Sequence, residues 1–318
     1  MRATQATTYR TLQYQIQQIS SRLLDMRNIA TTGKRVNRPS DDPTAIKPIL
    51  NARSRIRAND RFMNTTDLGL DKLQTADGFL EHVENILINA KEKAIQGSNA
   101  TMNAEDMNIL ADSIKHIKDE LLQTANAQVE GKYLFAGFME NTRPFTENPA
   151  YDPLTYDPAD RTTWPVLYNG DANATTLEFA PGETIAVSAT GNALFVGDAD
   201  NDGAVDAGGT DIFAVLTQIE AAMRANDPAA VGALLGNLDQ ASDQIYRQRA
   251  GLGNNAAQLD NARSLMADVQ IDLQQILSRY EDADIIKAIT DISQQETALQ
   301  AALSITAKVS QLSILNYL

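Results

Sequence analysis

The chain has 318 residues, a formal net charge of −14, a pI near 4.6 and no cysteine. The missing thiols exclude disulfides, thiol catalysis, zinc–thiolate centres and iron–sulfur clusters together, and no run of about 18 apolar residues is present to span a membrane. The charge is segregated: residues 1–63 carry 12 Lys plus Arg against 4 Asp plus Glu, a net +8, and the remainder carries 15 against 37, a net −22.

Opposite signs on two parts of one chain favour pairing within the molecule or between copies of it. Arg53, Arg55, Arg57 and Arg61 could form a nucleic-acid patch, since Arg53, Arg57 and Arg61 share a helical face. No aromatic interleaving or nucleic-acid motif accompanies them and the acidic pI opposes a polyanion, so a solvated or salt-bridged face is the expectation. Residues 1–17 lack the apolar core of a secretory signal. The chain is therefore expected in the cytoplasm, or exported by a machine that reads no cleaved leader.

In chain order, Tyr9, Leu12, Ile16, Ile19, Leu23, Met26 and Ala30 recur at steps of three and four, predicting a helix with one narrow apolar stripe. Thr31 to Pro43 breaks the period, with Gly33 suited to a helix C-terminus and Asp42-Pro43 to an N-cap followed by proline. Pro48 would cost a helix already under way a hydrogen bond, so the second helix is expected to start near Lys47. Leu73, Ala76, Leu80, Val83, Leu87, Ala90 and Ala94 continue that helix to a polar break at Gly97–Asn103, and Met107, Leu110, Ile114, Ile117 and Leu121 form the next.

From Phe135 to about Gly209 the helical period disappears. Val166–Tyr168 ends at Asn169-Gly170, and two alternating stretches, Thr175–Ala180 and Thr184–Ala189, flank a Pro181-Gly182 turn. A β-rich insert is predicted. Helix returns at Asp211 and again after Asp227-Pro228, and a long seam runs from Val231 to Ala283. Its phase slips at Glu281–Asp284, a joint or stutter, before a new set at Ile285, Ile289, Ile292, Leu299 and Leu303. Gly251 and Gly253 lie inside the long helix, where they are expected to allow close helix approach. The fold class is therefore mainly α: a long antiparallel coiled-coil rod built from both termini, carrying a small β-rich insert. The divisions are a first terminal helix at 1–46, half-rod at 47–138, insert at 139–210, half-rod at 211–282 and last terminal helix at 283–318.

Catalytic signals are thin. His82 and His116 fall on polar helix positions without a nucleophile motif nearby, as surface histidines do, and no phosphate-cradling glycine loop follows a strand. One stretch carries metal chemistry. Asp198, Asp200, Asp202 and Asp206 occupy positions 1, 3, 5 and 9 of a calcium-type loop, with Gly203 at the turn and Ala204 offering its carbonyl. Gly209 stands where the bidentate glutamate belongs, and Asp211 is a weaker substitute. The competing reading is a flexible acidic turn.

Thr32-Gly33-Lys34-Arg35-Val36 with Pro39-Ser40-Asp41-Asp42-Pro43, and Asp282–Ile285 through Leu299–Leu303 and Leu312–Leu315, resemble the N- and C-terminal signatures of the flagellin superfamily. Asn126–Gly137 and the ending Asn316-Tyr317-Leu318 resemble its hook–filament junction branch more than flagellin proper. The resemblance implies a secreted axial subunit exported through the flagellar type III apparatus. It also implies a ring of copies between hook-associated protein 1 and the flagellin filament, and a cytoplasmic export chaperone on the C-terminal helix. Leu12, Ile16, Ile19, Leu23, Ile285, Ile289, Ile292, Leu299 and Leu303 are the expected assembly and chaperone contacts. A short flagellin is the alternative within that class; a calcium-dependent binding module or adhesin is the alternative from another.

Overall fold

The structure, a computed structural model, describes residues 2–153 and 155–315, with side chains at 7–153 and 155–309. Asn316-Tyr317-Leu318 and the side chains of residues 312–315, both part of the sequence signatures, lie outside the described residues. Two compact units are present: Met1–Asp60 with Ala267–Leu318, and Arg61–Met266.

The first unit contains α1 (Arg2–Thr32), α6 (Ile285–Leu315), the start of α2 (Pro43–Gly97) and the end of α5 (Pro228–Glu281). α1 and α6 pack antiparallel, Arg27 meeting Glu296 at 2.7 Å and the Gly33 carbonyl accepting from the Ala283 N–H at 2.9 Å. The half-buried face of α1 holds Leu12, Ile16, Ile19 and Met26 around a buried Leu23. On α6, Ala288 is buried, and Ile292, Gln295, Leu299, Ala302 and Thr306 are among the half-buried positions, a set at alternating steps of four and three that fits a heptad seam. Alanines and polar residues make it shallow. Helix α2 begins at Pro43, four residues before the expected start and with Pro48 inside it. The Asp42 carboxylate explains the early start, accepting from the N–H groups of Thr44 (3.1 Å) and Ala45 (3.2 Å). The carbonyl that Pro48 leaves without a helical donor belongs to the exposed Thr44, where water can reach it.

The second unit contains the rest of α2 and α5, α3 (Ala104–Ala125), α4 (Ile212–Arg224) and the insert. Asn103 and Asp211 cap α3 and α4 through their side chains, accepting from Asp106 N–H (2.8 Å) and Ala214 N–H (3.0 Å). α2 and α5 run antiparallel, tied by Asp67 to Arg263 (2.7 Å) and Asp77 to Arg249 (2.7 Å). Gly69, rather than Gly251 or Gly253, permits the close approach. A Cβ there would stand 2.9 Å from Leu259 Cδ1 and 3.3 Å from Val187 Cγ1, whereas one at Gly251 or Gly253 would meet nothing within 4 Å. The two glycines face open space, so their expected packing role does not hold.

Three two-stranded antiparallel sheets are present: β1 (Gln128–Val129) with β2 (Lys132–Tyr133), a hairpin that lies ahead of the expected insert start at 139, and within the insert β3 (Phe145–Glu147) with β4 (Val166–Tyr168) and β5 (Thr176–Ala180) with β6 (Glu183–Ala186). Glu130 and Gly131, at φ 54° and 81°, turn the first hairpin, and Gly182 at φ 80° turns the last. Phe145 is the hub of the insert core, with ring centroids 5.1 Å from Tyr168, 5.4 Å from Phe195 and 5.7 Å from Phe213 of α4. A π-helical turn at Asn192–Val196 follows β6. Buried Gln244 of α5 joins these pieces: its Nε2 donates to the Leu194 and Thr210 carbonyls (2.9 and 3.1 Å) and its Oε1 accepts from Thr210 N–H (2.8 Å).

Candidate assembly surfaces and the acidic loop

The sequence-selected anchors divide between two faces. Leu12, Ile16, Ile19, Leu23, Ile292 and Leu299 line the α1–α6 seam, whereas Ile285, Ile289 and Leu303 point outward at 49, 54 and 50 % exposure. Ile286, at 80 %, and Ile305 join the outward set. Along the same unit, Val269, Ile271, Ile276 and Tyr280 of α5 are also exposed. Exposed isoleucines in this number exceed the scattered apolar exposure of an ordinary solvated helix and make these helices candidates for contact with a partner.

Between α5 and α6, residues 282–284 form a joint held from the N-terminal segment. Arg35 N–H donates to the Glu281 carbonyl at 2.7 Å, and the Arg35 guanidinium donates to the Tyr280 carbonyl at 2.9 Å. The Glu281 carboxylate, 2 % exposed, accepts from Arg53 Nη2 (2.6 Å) and Nε (3.2 Å) and pairs with Lys34. Burial alone would raise its pKa, but the donors from Arg53 and Lys34 outweigh it and hold the group below the ordinary glutamate value. Periodicity could locate this joint, but the charge triad across it involves three distant sequence positions. Arg53 was visible only as one member of an arginine stripe.

In the acidic loop, Asp198, Asp200 and Asp206 bring one carboxylate oxygen each to within 4.8 Å of one another. Asp198 is buried, its carboxylate accepting from the N–H groups of Asp202 and Gly203 at 3.1 Å each, and burial raises its pKa. Asp206 accepts from Ala199 N–H at 2.7 Å. Asp202 lies outside that group and accepts from Ala204 N–H at 2.9 Å. Asp211 also lies outside it, being occupied as the α4 cap. Three of the six positions read from the sequence therefore converge, a hard-cation donor set in type. His82 is a half-exposed partner of Glu120 at 3.2 Å.

The helical framework and its bare outer faces define a protein made to pack against neighbours, and comparison with known proteins places it further. Residues 4–140 match the profile of the bacterial flagellin N-terminal helical region, and residues 235–318 match that of the C-terminal helical region. The chain belongs to the bacterial flagellin family. It is 27 % identical over 298 residues to flagellar hook-associated protein 3 of Escherichia coli, covering 89 % of each chain. It is 26 % identical over 288 residues to flagellin of Bacillus subtilis, covering 88 % of this chain and 87 % of that one. In fold it is similar to the crystal structure of flagellar hook-associated protein 3 from Legionella pneumophila, with a TM-score of 0.60 at 18 % identity, covering 73 % of this chain and 98 % of that one.

Proposed function

We propose that the chain is a non-enzymatic axial subunit of the bacterial flagellum at the hook–filament junction. The observation that carries this reading is the likeness to hook-associated protein 3 along 89 % of both chains, insert included. Copies pack in a ring through outward faces such as Ile285, Ile286 and Ile289, with hook-associated protein 1 on one side and flagellin on the other. Before export a cytoplasmic chaperone covers the outward stripe of α6 by accepting its apolar anchors in a groove. We also assign weak calcium binding to Asp198, Asp200 and Asp206, since their oxygens already converge.

Deletion of the gene tests the central reading. Flagella imaged from such a strain should show hooks without filaments, with flagellin recovered from the medium. Filament loss without secreted flagellin would favour the alternative, a short flagellin, for which the Bacillus subtilis relative speaks.

A further inference from the structure

In the second unit, α2 and α5 leave a groove of ≈ 620 Å³ between them. Its walls carry four carboxylates, Asp67, Asp71, Asp77 and Asp260, against one guanidinium, Arg263. Arg263 is occupied by Asp67, and Asp77 is occupied by Arg249 from outside the lining. Asp71 and Asp260 have no ion-pair partner among the described residues. Gly253 on its wall presents no side chain, and nothing stands within 4 Å of the Cβ position.

Cations in the matching condition exist on the same chain. Arg55, Arg57 and Arg61 of α2 are exposed and have no ion-pair partner among the described residues. Arg57 and Arg61 are four residues apart, so they project from one helical face. A guanidinium is suited to two-pronged contact with a carboxylate. Copies that each carry −14 repel one another at long range, so packing them side by side needs a local reversal of sign. We propose that the Asp71–Asp260 groove of one copy receives Arg57 and Arg61 of a second copy. The inference rests on the assembly reading above and names the surface that sets which neighbouring faces meet. A polyanion partner would occupy the arginines and leave the acidic groove empty; a second copy uses both.

The test is made on flagella isolated from cells producing the full chain. Since the chain has no cysteine, an Arg61→Cys, Asp71→Cys double variant can be oxidised without competing thiols. Its two sites are ten residues apart on α2, about 15 Å at the helical rise, beyond the roughly 7 Å that a disulfide can bridge. Any higher species is then between copies. A ladder on a non-reducing gel from the double variant, but from neither single variant, is the expected result. As a second measurement, Asp71→Lys with Asp260→Lys, or Arg57→Glu with Arg61→Glu, should each lower incorporation about threefold or more, and all four together should restore it, as charge complementarity requires. No ladder from flagella containing the double variant overturns the inference, as does unchanged incorporation of both half-swaps or no recovery in the full swap. The assembly reading itself fails only if the unaltered chain is missing from flagella.

Discussion

Arg53 reaches across from α2 to the last residue of α5, placing Nη2 2.6 Å from the Glu281 carboxylate at the point where the helix ends. Lys34 is the second cation on the same group. The carboxylate is enclosed while the arginine is 44 % exposed, so part of the pair remains screened by water. Removing the acid should therefore cost less than breaking a fully buried pair.

Glu281→Ala is expected to destabilise the first unit by about 1–3 kcal/mol. The signature is faster amide exchange at Arg35 and Ala283, whose N–H groups bond across the joint, with Leu80 and Leu87 amides unchanged. Because the folded pKa of Glu281 lies below its unfolded value, the stabilisation is present above the unfolded pKa and disappears as the solution is acidified through the folded one. A Glu281→Gln chain should lose that acid-side dependence. Equal exchange at Arg35 in the altered and unaltered chains would refute the role of the triad.

Asp211 gives the opposite slope. Burial pushes its carboxyl up to about 7, against donors from Ala214 and Phe213 that favour the ion. Its folded pKa is above the unfolded value, so its contribution is complete below about pH 4 and is lost as pH rises through about 7. Asp211→Asn keeps a capping oxygen and should melt higher than the unaltered chain at pH 8.5, with the two curves converging near pH 4. Parallel curves across that range would contradict it.

Three glycine substitutions rank in a fixed order. Gly251→Ala and Gly253→Ala gain helix propensity, each up to about 1 kcal/mol, without a steric penalty. Gly69→Ala gains the same propensity but presses on Leu259 and Val187, and overpacking of this kind costs about 1–3 kcal/mol. Urea midpoints should place Gly69→Ala below both others, and the reverse order would show that the α2–α5 packing yields easily.

Calcium entering the acidic loop should raise the melting temperature of the second unit as its concentration passes the dissociation constant. With no bidentate acid at Gly209, an affinity of about 0.1–1 mM is expected. Asp200→Asn should remove the shift, since Asp200 belongs to the convergent group. A melting curve unmoved by about 10 mM calcium, tenfold above that range, would leave a self-bonded turn.

On α6, Ile286→Asp with Ile289→Asp should abolish chaperone binding and incorporation while preserving helix content, because both side chains point away from α1. Leu299→Asp should instead weaken the α1–α6 pairing, since Leu299 lies on the seam. Isothermal titration beside circular dichroism separates the two. Unchanged chaperone affinity in the isoleucine double variant would move recognition elsewhere.

Helices were legible because periodicity and caps are local: Asp42-Pro43, Asp211 and Asp227-Pro228 each open a helix in the structure, and the slip at Glu281–Asp284 is a true break. The β4, β5 and β6 strands were legible from alternation and turn residues. Which face of α6 meets α1 was not, because Ile285 and Ile289 outrank Ala288 and Gln295 in hydrophobicity although the latter lie on the seam. Hydrophobicity alone cannot tell an internal partner from an external one. The Gly69 contact, the Glu281 triad and the acidic groove share another limit, since each joins residues more than about 100 positions apart and nothing local encodes such a pairing.

Gln244 has a bearing on transplantation. One side chain on a helix of the framework saturates both polar groups of Thr210 and the carbonyl of Leu194, so the framework carries a receptor moulded to the stretch it holds. An exchange of residues 127–210 between relatives must therefore carry position 244 as part of the graft. A foreign segment set on a chain with leucine there would leave the N–H and carbonyl of residue 210 sealed without partners, at about 1–3 kcal/mol for each.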